Sequence, residues 1–117
     1  MSELGRNERD GLIAGDYPTE SQEITITGPA KFKRGDVISQ KDGKYALVDS
    51  EGTGGAELAI GIICDDITVG DGESVRTTMY VKGEFSQRFL QFGGVDTANN
   101  HLRRMTEIGL LIRPTRV

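Results

Sequence analysis

The chain has no tryptophan, a single cysteine and a single histidine, and its aromatic complement is three tyrosines and four phenylalanines in 117 residues. Each scarcity closes off a class of function. One cysteine, Cys64, rules out an intrachain disulfide framework and fits a reducing compartment. Cys64 and His101 together fall short of the four ligands of a structural zinc centre. A thiol–imidazole dyad would require the fold to bring them together, with Cys64 in an apolar run and His101 at the surface or boundary of a helix. No stretch approaches the roughly 18 consecutive apolar residues of a membrane span. The N-terminal SELGRNERDG has no hydrophobic signal region, so the expectation is a protein made and kept in the cytoplasm. The formal charge of −4 gives no general attraction to phosphate backbones, and the aromatics are not interleaved with a basic stripe, so neither membrane nor nucleic acid is an expected partner. No cofactor or metal set is legible.

What is abundant is glycine, 16 residues, set between short alternating runs. That pattern favours a β-rich domain with many tight reversals, and the length suits one domain with a modest core. Glu57 to Phe85 reads as its centre. Leu58 to Cys64 is apolar on both alternating faces, as in a strand covered on two sides. Val75, Thr77, Met79 and Val81 then alternate with Arg76, Thr78, Tyr80 and Lys82, which predicts one packed face and one face meeting water or a partner. Gly70, Asp71 and Gly72 predict the turn between the two strands.

Upstream, Ile24 and Ile26 alternate with Glu23, Thr25 and Thr27 in a strand ended by Gly28 and Pro29. Lys33 to Gly35 read as a turn feeding a strand through Val37 and Ile38. Asp42 and Gly43 signal a hairpin to Tyr45–Val48. Downstream, Asp96 or Thr97 can cap a short helix carrying Ala98, Leu102 and Met105 on one face, and Ile108 to Arg113 form a last strand stopped by Pro114.

Two stretches invite a ligand. DSEGTGGA, residues 49–56, is glycine-rich but lacks the phosphate-loop pattern and precedes a strand rather than a helix, so it reads as a surface loop. Asp65, Asp66, Asp71 and Glu73 do not follow calcium-loop spacing and read as solvated turn residues. The ends are of opposite sign. Residues 1–22 carry five acids against Arg6 and Arg9, and residues 101–117 carry four arginines against Glu107, which suits contact between chains or two solvated surfaces alike. Within the polar first segment Leu12, Ile13 and Tyr17 are the sizeable apolar groups and hence the candidate anchors, either onto a partner or onto the chain's own domain.

The order LIAGDYP (12–18), KFKRGDVIS (31–39), KYALVD (44–49), LAIGIICDDI (58–67), TMYVKGEFS (78–86) and the closing helix and strand with IGLLIRP resembles the head decoration proteins of tailed bacteriophages, the lambda type and its prophage relatives. The resemblance covers nearly the whole chain after residue 11. It implies a mainly β, compact barrel or β-tulip-like domain over residues 23–117 with one short C-terminal helix. An extended N-terminal arm, residues 1–22, would be disordered in solution and ordered on the shell. It further implies a homotrimer on the exterior of the expanded capsid, over local threefold positions, whose partner is the major capsid protein and whose role is to cement the head against the pressure of packaged DNA. Capsid-binding residues would then be Leu12, Ile13 and Tyr17 on the arm, with Arg76, Tyr80 and Lys82 as possible subunit or capsid contacts, and neither catalytic residues nor cofactors are implied. One departure is an arm that is acidic and poor in proline, so its register on a shell does not transfer. The competing readings are another virion component of tail or connector, and a small β-barrel ligand-binding domain or enzyme using Cys64, His101 or the acidic turn.

Overall fold

The computed structural model describes residues 11–14 and 18–114. Among the described residues there are eight strands, β1 Glu20–Thr27, β2 Ala30–Phe32, β3 Val37–Lys41, β4 Lys44–Leu47, β5 Gly61–Ile63, β6 Ile67–Val69, β7 Ser74–Ser86 and β8 Leu110–Arg113, one α-helix, α1 Ala98–Ile108, and a single 3-10 turn, Gln87–Phe89. The main sheet runs β1-β7-β5-β3-β4, with β8 added to β7, while β2 and β6 form a separate antiparallel pair. The sheet curls so that β1 and β4 approach each other, yet no ladder joins them, and the barrel stays open.

β7 is the spine. β1 runs antiparallel along its first part, from Thr27 opposite Ser74 to Glu20 opposite Lys82. β8 takes over beyond, parallel, from Leu110 opposite Gly83 to Arg113 opposite Ser86. β5 pairs with it at Tyr80 and Met79.

Local chemistry accounts for several elements. Ile24 and Ile26 of β1 are buried while their neighbours are exposed, the alternation of a strand with one face on a core. At the β3–β4 hairpin, Asp42 and Gly43 both take positive φ (54° and 80°), the backbone that a two-residue hairpin turn requires. In α1 the Asn100 side chain reaches back to accept from the Thr97 amide at 2.8 Å, satisfying a donor the helix leaves unpaired.

Two apolar clusters fill the interior. One lies inside the curl and is closed by β2 and β6: Ile24, Ile26, Phe32, Ile38, Ile63, Val69 and Met79. The other lies under α1 and β8 and includes Val37, Ile62, Tyr80, Phe85, Met105 and Leu110, together with Leu12 and Ile13.

The central pair differs from the sequence expectation. β5 and β7 do pair, but the segment between them is not a single turn, because Ile67–Val69 leaves the sheet to pair with Ala30–Phe32. The polar face of β7 is also narrower than alternation suggests. Tyr80 is 6% exposed, its ring 5.3 Å from that of Phe85 in the core, while Arg76 is exposed and Lys82 half-buried.

Candidate interaction surfaces

The described part of the N-terminal segment is attached to its own domain. Leu12 and Ile13 are 1% and 8% exposed and belong to the core beneath α1. Ser86 donates its amide to the Leu12 carbonyl at 2.7 Å, and Ala14 donates to the Glu84 carbonyl at 2.9 Å, so the segment extends the sheet beside the end of β7. A residue packed in this way offers no side chain to a second molecule. Of the two alternatives that the apolar residues left open, the described geometry shows packing onto the chain's own domain. Tyr17 lies outside the described residues.

A polar niche of about 260 Å³ is lined by Ser21, Arg34, Cys64, Asp65, Thr78 and Tyr80. Arg34 organises it. Its Nη1 donates to the Cys64 carbonyl and to the Tyr80 hydroxyl, each at 2.8 Å, and its guanidinium stands 5.7 Å from the Tyr80 ring centre. Burial pushes the Cys64 thiol up to about 12, with a smaller opposing effect from Tyr80, so at neutral pH it is a protonated, weakly nucleophilic group. Burial likewise raises the Tyr80 hydroxyl, against the hydrogen bond from Arg34. Within the niche, Arg34, the Cys64 carbonyl and the Tyr80 hydroxyl satisfy one another.

His101 has other company. It is buried, not at the helix surface, and Leu102, expected on the packed face, is instead exposed. The His101 Nε2 lies 2.6 Å from Asp96 Oδ2, both side chains 2% exposed, and Phe92 stacks on the imidazole at 5.4 Å. Asp96 also accepts from the Ser50 amide at 2.6 Å and the Ser50 hydroxyl at 2.7 Å. The Ser50 hydroxyl bond, opposed by burial and aided by His101 and the Ser50 amide, holds the Asp96 carboxyl below its ordinary value of 3.8. The carboxylate sits between serine and histidine, so the imidazole is not placed to take the hydroxyl proton. The cluster is a clamp that ties the 49–56 loop to the start of α1. Sequence inspection missed it because Ser50 and Asp96 are distant in the chain. The only local sign was an acidic residue five positions before the lone histidine.

The clamp supports a tight reversal. Gly93 donates its amide to the Val48 carbonyl at 2.8 Å, and Asp96 donates to the Gly93 carbonyl at 3.1 Å. A Cβ at Gly93 would lie 2.9 Å from that Val48 oxygen, so only glycine fits there, and Gly94 takes φ 59°. Val95, at the tip, is 86% exposed.

Two of the acidic turn residues are hydrogen-bonded to backbone amides. Asp66 accepts from the Arg34 amide and Glu73 from the Gly70 amide, each at 2.9 Å. Among the described residues no group of three or more His, Cys, Asp or Glu side chains is placed to hold a metal ion, and no helix is long and apolar enough to cross a membrane.

The described residues form a β-rich platform around these clusters. The family model of the bacteriophage lambda head decoration protein D matches residues 3–106. The chain belongs to that head decoration family. No curated protein gives a significant match to it. As a head decoration protein it is a structural component of the phage capsid, in a family that acts on the capsid exterior.

Proposed function

We propose that three copies of this chain associate and dock over local threefold positions on the expanded head, where they bind the major capsid protein and hold the shell against the pressure of packaged DNA. The observation that carries the reading is the family match across residues 3–106. Avidity supplies the energetics. Once one subunit of a trimer is bound, the others are presented at high effective concentration, so weak individual contacts give slow release. A trimer that binds only the expanded shell shifts the equilibrium toward that state by mass action.

The packing of Leu12 and Ile13 refines how the N-terminal arm would take part. These two residues hold the segment to the end of β7. The shell-binding part of the arm then lies before Gly11, in residues 1–10, and Arg76 and Lys82 remain candidate contacts on the platform. The protein would be made in the host cytoplasm and taken up by the head during assembly.

Deleting residues 1–10 tests this. The truncated protein is expected to keep its fold and association state and to stop cosedimenting with mature heads. Normal cosedimentation of the truncated protein would contradict the role of the arm.

A further inference from the structure

An aspartate followed by glycine carries a reaction of its own. The glycine nitrogen, with no side chain beside it, can attack the aspartyl side-chain carbonyl carbon and close a five-membered imide, once the backbone rotates until the aspartate Cβ and that nitrogen are eclipsed about the Cα–C bond. The chain holds three such pairs, at residues 10–11, 42–43 and 71–72. Asp10 lies outside the described residues. The other two pairs are exposed, and a Cβ at Gly43 or at Gly72 would meet nothing within 4 Å, so bulk does not distinguish them. Their backbones do.

Asp42–Gly43 is the two-residue reversal between β3 and β4. With φ of 54° and 80° it has type I′ geometry. In that turn the first central residue has ψ of about 30°, which points the next nitrogen nearly opposite its own Cβ. Rotating the peptide unit would strain a hairpin tied on both sides, Lys41 opposite Lys44 and Gln40 opposite Tyr45.

Asp71–Gly72 is fastened differently. Glu73 donates its amide to the Gly70 carbonyl at 3.1 Å, and Gly72 has φ 79° where Asp71 has no positive φ, so the two are the central residues of a type II turn. The turn is held at its ends, by that bond, by the Gly70 amide on the Glu73 carboxylate and by the Gly28 amide on the Glu73 carbonyl, each of the latter at 2.9 Å. The Gly72 amide, the attacking group, takes part in none of them. Val69 and Ser74 on either side pair with Ala30 and Thr27 in separate sheets, so no hairpin ladder opposes rotation of the 71–72 peptide unit.

We infer that Asp71–Gly72 is a modification site, at which the folded backbone selects spontaneous conversion of aspartate to isoaspartate. In the first step the Gly72 nitrogen bonds to Cγ of the protonated Asp71 carboxyl, and the carboxyl hydroxyl leaves with the amide hydrogen as water. In the second, water adds at the former main-chain carbonyl of Asp71, the bond from that carbon to the Gly72 nitrogen breaks, and the nitrogen regains a hydrogen. The main chain then runs through Cβ and Cγ, one atom longer, with a carboxylate on Cα and no net change in mass. Addition at the other carbonyl restores aspartate. Water is the only co-reactant. The lengthened turn lies at the exposed start of β7, so the fold is expected to persist.

The test is peptide mapping of full-length protein incubated at mildly acidic pH, with isoaspartate located by mass-spectrometric fragmentation and the Asp10 peptide read separately. In the folded protein isoaspartate should form at residue 71 about tenfold or more faster than at residue 42, because reaction at 42 first requires the hairpin to open. In concentrated urea, where both pairs lie in open chain, the two rates should converge. Asp71→Asn, which loses ammonia in the same ring closure, should convert faster still in the folded protein. Equal accumulation at both residues of the folded protein, faster accumulation at 42, or none at 71 overturns the inference. So does a preference for 71 that persists undiminished in urea, which would assign it to neighbouring side chains rather than to the turn.

Discussion

The two ends of β7 are built differently. From Ser74 to Thr78 the strand is mostly exposed, laddered to β1 and bordered by the acidic turn. From Met79 to Ser86 it carries the buried residues, with β5 at Met79 and Tyr80, and with both β8 and the Leu12–Ala14 segment along the last residues from Gly83 to Ser86. One end is therefore free to change without loss of the fold, and the other is where the chain's N-terminal segment, last strand and helix meet. Substitutions at the first end should therefore cost less stability than substitutions at the second.

The largest effect that would break this contrast is expected at Phe85, 0% exposed at the meeting point. Phe85→Ala should cost about 3–5 kcal/mol through the cavity it leaves, and Leu12→Ala about 3 kcal/mol, both read by urea denaturation. A negligible loss for Leu12→Ala would mean that the segment is not part of the core. His101→Ala comes next, at about 2–3 kcal/mol, because it removes a stacked ring and the Asp96 partner together.

Acid should act through the same clamp. Asp96 has its folded pKa lowered, so the stability it contributes is present above its unfolded value and lost as pH falls through the folded one, below about pH 4. Asp36 is shifted up by burial, opposed by the Lys33 amide, and so contributes in the other sense, favouring the folded state as it protonates. Melting temperatures between about pH 4 and pH 2 should therefore fall less steeply for Asp96→Asn than for the wild type, and equal slopes would remove Asp96 from the account. The smallest effect belongs to the open end of β7. Arg76 and Glu23 are 3.6 Å apart with side chains 75% and 65% exposed, so Arg76→Ala should change stability by less than about 0.5 kcal/mol.

Much of the local structure was legible because it is written in neighbouring residues. The alternation around Ile24 and Ile26, the Asp42–Gly43 reversal and the start of α1 near Thr97 all follow from period and turn chemistry, and the order of segments pointed to the family that the match confirms. What was not legible depends on partners far away in the chain. Three residues, Ile67–Val69, are too short to announce a strand, and they become one through Ala30–Phe32. Alternation placed Tyr80 on the outer face of β7, but Phe85 and Arg34 give its ring and hydroxyl buried partners. Helical periodicity placed Leu102 inside and His101 outside; the reverse holds because Asp96 and Phe92 supply the imidazole with a hydrogen bond and a stacking surface. Apolar residues in a polar segment, such as Leu12 and Ile13, indicate burial without naming the molecule that buries them.

The most direct test of the central claim is an electron cryomicroscopy reconstruction of expanded heads incubated with the full-length protein. The account predicts three-lobed density over the local threefold positions of the outer surface. Heads left bare, or density confined to the tail vertex, would contradict it.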